Sequence, residues 1–289
     1  MADSSGQAEI RGIDIDKLAK GFADEENQFK KVCTISKTSA REVRFYRKTA
    51  GFLDSTDTTG ITASQIANVA ERARPVVVEQ SWTRVTKYVR KYFVESPTIS
   101  MEDIRDSDVD VLATNVRDLV RAVARQVDKR IYDVITTDNG QTNASTAAWD
   151  AASGQDPVED IMEGKMNIRN QGYNPEGAYL LLSPKDHKNL LTWLITTKGS
   201  SIPSFASQHV QDGVVMEILG LKVLVSANVD ADEACIIVPQ RCMTWKSFTP
   251  LTSAVIDDPG IGKKIRVWEE GEAIMTDTNA CNIITNTAT

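Results

Sequence analysis

Apolar positions recur every three or four residues between Ser107 and Thr137, and this is the strongest helical pattern in the chain. Charged residues fill the positions between them, so the pattern predicts a helix with one apolar stripe. The stripe consists of Val109, Leu112, Val116, Leu119, Val120, Val123, Val127, Ile131 and Val134. At about 1.5 Å per residue, a helix of roughly 30 residues is on the order of 45 Å long. A helix of that length needs other elements packed along it.

Both ends of this spine helix are marked in the sequence. Ser100 to Asp103 resembles a capping box, which favours a helix start. Asn139 and Gly140 tolerate the left-handed backbone that commonly ends a helix.

Two β patterns precede the helix. Arg41 to Arg47 alternates in the manner of a strand, and Pro75 to Glu95 is rich in β-branched and aromatic residues and has no glycine. About twenty extended residues would span roughly 65 Å, so the second segment must bend or project. Both of its faces carry bulk and charge. We interpret the pair as a ribbon that needs a partner surface, and an edge hairpin of the main sheet is the alternative.

Several segments connect or extend these elements. Residues 1 to 11 are small and polar, and Ile13 to Cys33 has the pattern of an amphipathic arm helix. Gly51 to Arg74 is predicted to be a mobile tip with a short helical patch around Ile61 to Val69. Gly140 to Gly154 is interpreted as a low-complexity linker between two lobes.

The second half alternates between helices and strands. Asp156 and Ser183 are predicted caps of helices that end at Gly172 and near Gly199, and a buried strand, Ala178 to Leu182, lies between them. Gly220, Pro259–Gly260 and Glu270–Gly271 are predicted turns. The remaining predicted strands are Val214 to Leu219, Leu221 to Ser226, Ala234 to Val238, Met243 to Phe248, Leu251 to Asp257, Lys264 to Trp268, Ala273 to Thr276 and Ala280 to Thr285. The order indicates an α+β protein.

The charge is unevenly distributed along 289 residues with a net charge of −7. An acidic balance disfavours a dedicated nucleic-acid-binding protein. Between Arg41 and Lys91, however, ten basic residues stand against five acidic ones. The ribbon segment is therefore basic on an otherwise acidic chain, and it could reach an acidic neighbour. The sequence has no apolar run of the ~18 residues that a spanning helix needs, so we expect no membrane association.

The sequence offers no convincing catalytic or metal site. His187 is read as a surface residue at a helix start, and His209 lies in a predicted loop without a local partner. Gly260 to Lys264 lacks the residues and context of a phosphate-binding loop. The four cysteines fit no zinc spacing and are predicted to be reduced and structural. We expect no enzyme activity and no cofactor.

The order of these parts resembles a tailed-phage major capsid protein of the HK-ninety-seven-like fold. The local matches are NPEGAYLLLSPKDHKNLLTW, GLKVLVSANV and ACIIVP, and the resemblance covers nearly the whole chain. It implies an N-terminal arm (1–40), an extended loop (41–95), a peripheral domain on the spine helix (96–155 and 240–289) and an axial domain (156–239). The extended loop would lie across a neighbouring subunit. The implied inter-subunit contact residues are Arg44, Tyr46, Arg47, Trp82, Arg84, Lys87, Tyr88, Arg90 and Tyr92.

The same resemblance implies self-assembly into pentamers and hexamers of an icosahedral shell enclosing double-stranded DNA. The implied partners are a separate scaffolding protein, a portal and decoration proteins, with DNA contacted non-specifically. The protein would assemble in the host cytoplasm and reside in the virion. One alternative is an encapsulin-type bacterial nanocompartment shell, and another is a soluble enzyme or DNA-binding module.

Overall fold

The computed structural model describes residues 29–50, 71–72, 81–106, 111–195 and 217–289. Most of the predicted tip, the loop that holds His209 and most of the predicted arm helix lie outside these ranges. The chain divides into two compact units, Ala40–Tyr88 and the remainder. The architecture is mixed α and β, as predicted.

Four α-helices are described: α1 (Met101–Asp106), α2 (Val111–Asp138), α3 (Pro157–Asn170) and α4 (Pro184–Trp193). The thirteen described strands are β1 (Thr34–Lys37), β2 (Glu42–Ala50), β3 (Ser81–Tyr88), β4 (Arg90–Glu95), β5 (Ile99–Ser100), β6 (Thr142–Ala144), β7 (Tyr179–Leu182), β8 (Glu217–Ile218), β9 (Leu221–Val225), β10 (Glu233–Ile237), β11 (Met243–Asp258), β12 (Gly262–Met275) and β13 (Cys281–Thr285). Short 3₁₀ helices cover Phe29–Lys31 and Thr278–Ala280.

The larger unit contains two sheets. The first has the order β1-β11-β12-β4, with β5 also paired to β12, and the second has the order β6-β13-β10-β7-β9-β8. The predicted stripe of α2 packs against the first sheet, and from Val116 to Val134 all of its residues are buried except Leu119, which is partly buried. Helices α3 and α4 cover the second sheet through Ile161, Ile168 and Leu190. The spine helix therefore organises the first sheet, as its pattern predicted.

The helix caps follow the sequence signals closely. Asp156 accepts a hydrogen bond from the backbone N–H of Glu159 at 3.1 Å, and α3 starts with proline. The Ser183 hydroxyl accepts from the backbone N–H of Asp186 at 3.0 Å at the start of α4. The signal at Ser100, by contrast, begins the separate helix α1 and not the spine. Helix α4 is described as far as Trp193, and its predicted end near Gly199 lies outside the described residues.

The predicted long strand is divided. Residues Ser81–Tyr88 pair with β2 and residues Arg90–Glu95 pair with β12, so the pairing partner changes at Val89. Conversely, two pairs of tail strands that were predicted as separate form one continuous strand each, β11 and β12. β11 runs through the predicted gap with register shifts between Ser247 and Thr252. The predicted arm helix reaches the described region only as the 3₁₀ turn Phe29–Lys31.

Two segments that were predicted to be irregular contain regular structure. Glu270–Gly271 is not a turn, because both residues lie within β12. A Cβ on Gly271 would lie 2.7 Å from Cε2 of Trp245, so this glycine makes room for an indole ring. The Gly140 to Gly154 linker contains β6 and the buried Trp149. Trp149 Nε1 donates to Asp160 Oδ2 at 2.8 Å, which ties the segment to α3.

Candidate intermolecular surface

The unit Ala40–Tyr88 contains the antiparallel ribbon of β2 and β3. In its register Tyr46 is directly opposite Arg84, and Arg44 is opposite Thr86. Because opposite residues of an antiparallel pair point to the same side, one face of the ribbon collects several large side chains. This exposed ribbon face consists of Arg44, Tyr46, Trp82, Arg84 and Tyr88.

The aromatic residues of the exposed ribbon face are unusually accessible. Tyr46 is 65% exposed, Trp82 55% and Tyr88 66%. Arg44 and Arg84 are exposed as well. Trp, Tyr and Arg are the residue types that most often dominate protein–protein binding energy. The face therefore has the composition of a binding surface.

The opposite face of the ribbon is less accessible. Val43, Phe45, Arg47 and Lys87 are each half-buried. The guanidinium carbon of Arg47 lies 5.8 Å from the centre of the Phe45 ring. Of the predicted contact residues, Arg47 and Lys87 thus lie on a different face from the other five in the ribbon.

One hydrogen-bonded ion pair lies on the exposed ribbon face. Nε of Arg44 donates to Oε1 of Glu42 at 2.5 Å. This hydrogen bond lowers the pKa of Glu42, and the charges of Arg44 and Arg84 add to the effect. Two arginines and one carboxylate leave the face cationic.

The last two predicted contact residues, Arg90 and Tyr92, lie on β4 in the larger unit. Nε of Arg90 is 3.4 Å from Oε2 of Glu272, and the ring of Tyr92 is 6.4 Å from that of Trp245. Burial raises the pKa of the Tyr92 hydroxyl above its ordinary value. Both residues therefore have structural contacts inside their own subunit.

Buried carboxylates on β12 hold β4 in place. Glu269, Glu270 and Glu272 are almost completely buried. Glu269 pairs with Lys30 at 2.6 Å, Glu270 with Lys91 at 3.7 Å, and Glu272 with Arg130 and Arg90. We define these residues as the carboxylate cluster. The sequence pattern does not predict this cluster, because Glu270–Gly271 has the local signal of a turn.

The cysteines and His187 have chemically reactive side chains, but they are buried or half-buried inside the fold. All four cysteines are free and buried, as predicted, and Sγ of Cys235 lies 3.3 Å from Sγ of Cys281. His187 was predicted to be a surface residue but is half-buried, and burial lowers its pKa. In the described ranges, no three His, Cys, Asp or Glu residues are placed to hold a metal ion. Nor does any helix there combine the length and the apolar character that a membrane crossing requires.

The family model described as phage capsid protein matches residues 79–279, more than half of the chain. The chain belongs to the phage capsid protein family. This match includes β3, the spine helix and most strands of both sheets of this capsid protein, while β1 and β13 lie outside it. It confirms the resemblance to tailed-phage major capsid proteins and the structural role that the resemblance implied.

Solved structures show the same fold at low sequence identity. A virus-like particle from Pyrococcus furiosus aligns with 95% of this chain and 99% of its own, with 10% identity and a TM-score of 0.65. The capsid of Cyanophage P-SCSP1u aligns with 91% of this chain and 89% of its own, with 12% identity and a TM-score of 0.66. The predicted α+β capsid fold is thereby confirmed.

A sequence comparison also finds a probable voltage-gated potassium channel subunit beta from Arabidopsis thaliana. The identity is 25% over an alignment of 211 residues, and the match covers 64% of this chain and 62% of that protein. The capsid protein thus spans less than two thirds of the length of this relative. The fold is established by the capsid structures, which match over most of both chains.

Proposed function

We propose that this capsid protein is the repeating subunit of an icosahedral shell, built from pentamers and hexamers, that encloses the double-stranded DNA of a tailed virus. Its role is structural and it is not an enzyme. The shell would assemble in the host cytoplasm. A separate scaffolding protein, a portal and decoration proteins are the expected partners.

The exposed ribbon face is the observation that carries this proposal. An isolated two-stranded ribbon is marginally stable in water. Each aromatic side chain can bury roughly 150–250 Å² at an interface. Tyr46, Trp82 and Tyr88 therefore offer a large apolar area to a second molecule, and Arg44 and Arg84 offer charge. A second copy of this acidic chain is a suitable partner for a basic ribbon segment.

We further propose that α2 and the first-sheet strands β5, β11 and β12 form the peripheral domain (96–155 and 240–289) and that the second sheet forms the axial domain (156–239). The first-sheet strands β1 and β4 lie in the ranges given to the arm and the extended loop. One adjustment to these boundaries follows from the pairing. β6 and β13 belong to the second sheet, although residues 142–144 and 281–285 fall in the ranges first given to the peripheral domain. The peripheral domain would then exclude these two strands.

Electron microscopy of the expressed chain tests the proposal. We expect wild-type protein to form closed particles in negative stain, and the Trp82→Ala/Tyr88→Ala variant to remain as small species with unchanged circular dichroism. Thr83→Ala, on the opposite face of the same strand, is the matched control and should assemble normally. A wild-type chain that stays monomeric at high concentration would contradict the proposal. Protein cargo in place of DNA in purified virions would favour the nanocompartment alternative.

A further inference from the structure

Four cationic side chains follow one ridge of the spine helix α2 at four-residue spacing. They are Arg117, Arg121, Arg125 and Lys129. Four residues rise by about 6 Å along a helix, so the ridge is roughly 18 Å long. Arg121 is half-buried and the other three are exposed. We define these four residues as the basic ridge.

The middle of the basic ridge forms one wall of an open groove of about 630 Å³. The end of β9 at Val225 and the loop that follows it to Asn228 form the other wall. Nδ2 of Asn228 donates to the backbone carbonyl of Arg125 at 3.2 Å, which holds the loop against the helix. The groove thus has walls from two elements that are fixed to each other.

The accessible charge of the groove is positive. Arg121 and Arg125 line it together with Asp118 and Asp128. Asp128 is only 2% exposed, so its carboxylate has little access to a ligand in the groove, whereas Asp118 is exposed and offsets one of the two arginines. The other arginine, together with Arg117 and Lys129 on the same ridge, leaves the surface cationic. Ser226 adds a hydroxyl group to the opposite wall. Guanidinium and hydroxyl groups are the usual partners of phosphate oxygens.

We infer that the basic ridge and its groove are the surface through which the capsid protein contacts the phosphate backbone of double-stranded DNA, without reading its sequence. The inference rests on the proposed function, which places DNA inside the shell. Duplex DNA carries one negative charge per about 1.7 Å of its axis, so about ten phosphates are present over the length of the ridge. An evenly spaced row of cations matches a polyanion of evenly spaced charge.

The predicted salt dependence of DNA binding is compatible with a shell that must later release its DNA. Four phosphate contacts give a salt dependence with a slope of about −3.6, which is roughly a 150-fold loss of affinity between 50 and 200 mM salt. Each subunit would therefore hold DNA weakly at physiological salt and release it readily. The rival occupant is the segment 1–28, which has seven acidic and three basic residues. Its charges are irregularly spaced, so the even spacing of the ridge favours DNA.

Binding of a short labelled duplex to the unassembled full-length chain tests the inference. Fluorescence anisotropy would be measured across a series of sodium chloride concentrations. We expect Arg121→Gln/Arg125→Gln to reduce the magnitude of the slope of log affinity against log salt by about 2. The matched control is Lys188→Gln/Lys222→Gln, which removes two exposed charges elsewhere and should leave the slope unchanged.

Three results would overturn the inference. The first is an unchanged slope in Arg121→Gln/Arg125→Gln. The second is a slope that falls only in Arg44→Gln/Arg84→Gln, which would place the DNA contact on the ribbon. Deletion of residues 1–28 could tighten DNA binding in the wild type but not in the ridge variant, which would identify the acidic segment as the occupant. Negative-stain microscopy is a separate readout, in which the ridge variant should form particles at wild-type yield. If the wild-type protein formed no particles, the proposed shell would be contradicted. The slope of log affinity against log salt could still be measured, so the two proposals are tested separately.

Discussion

Nε of Arg130 donates to Oε1 of Glu272 at 3.0 Å, and that carboxylate is 1% exposed. Its second oxygen lies 3.4 Å from Nε of Arg90. One buried carboxylate on β12 therefore joins the spine helix α2 to β4, the strand that follows the ribbon. Removing a single partner of such a buried group leaves the remaining charges uncompensated.

We predict that Glu272→Gln lowers the free energy of unfolding by about 1.5 to 3 kcal/mol, because the mostly buried Arg130 loses its counter-charge, whereas Arg90 is 57% exposed and remains solvated. Urea unfolding of the unassembled chain, followed by circular dichroism, measures the change. Glu176→Gln is the control, since Glu176 pairs with Arg169 at 3.0 Å on the surface and should cost less than about 1 kcal/mol. Equal losses in the two variants would show that burial of Glu272 does not matter.

We predict that Gly271→Ala destabilises the fold by about 1 to 3 kcal/mol, because the new methyl group would overlap the indole of Trp245. The measurement is again the urea midpoint. Replacing the indole by a smaller side chain should relieve the overlap, so the Gly271→Ala/Trp245→Leu double variant should lose less than the sum of its single variants. Strict additivity would place the cause elsewhere.

Gly271 also illustrates what local pattern can and cannot predict. The helical stripe of α2 and the caps of α3 and α4 were predictable, because period and capping depend on neighbours in sequence. A glycine that makes room for a tryptophan ring depends on a residue of another strand, so the local pattern at Glu270–Gly271 predicts a turn instead. The prediction that the Gly/Ala/Ser-rich segment around Trp149 is a linker was wrong for the same reason. Trp149 is buried and bonds to Asp160, which lies on α3 and is distant in the local pattern.

The ribbon was predictable in part. Alternation identified β2 and β3 and placed Tyr46, Trp82 and Tyr88 on accessible positions. The division at Val89 was not visible, because residues on both sides of it have the same β-rich composition and differ only in their pairing partners. Arg90 and Tyr92 were consequently grouped with the ribbon, whereas they contact Glu272 and Trp245.

Asp186 gives a prediction about pH. Burial raises the pKa of Asp186 to about 6, although the Ser183 hydroxyl donates to its carboxylate at 2.6 Å. The folded chain thus keeps a proton that the unfolded chain releases near its ordinary value, so stability falls as pH rises through about 4 to 6 and is constant above that range. The total change should be about 2 to 3 kcal/mol.

Asp186→Asn should remove this dependence, because an amide does not ionise. Urea midpoints of wild type and variant at a series of pH values between 4 and 7 provide the measurement. We expect the variant curve to be flatter over the range in which Asp186 titrates. Parallel curves for the two proteins would assign the dependence to another group.

Charge reversal at Arg84 and at Arg90 should have different effects, although both belong to the same β-rich segment. Arg84→Glu changes the exposed ribbon face, so we expect a several-fold lower particle yield with an unchanged urea midpoint. Arg90→Glu places a carboxylate beside the buried Glu272, so we expect a loss of about 2 kcal/mol or more in the subunit itself. Particle counts in negative stain and urea unfolding together separate the two effects. Normal assembly of Arg84→Glu would contradict a role of this residue between subunits.

The carboxylate cluster also affects the order in which the chain can fold during synthesis. Its cations, Lys30, Arg90, Lys91 and Arg130, all leave the ribosome before Glu269 to Glu272. At 5–20 residues per second, the roughly 140 residues between Arg130 and the acids take on the order of ten seconds to translate. During that interval the nascent chain carries cations whose buried partners do not yet exist. The first sheet is therefore completed late, when β12 arrives and neutralises three segments that were made before it.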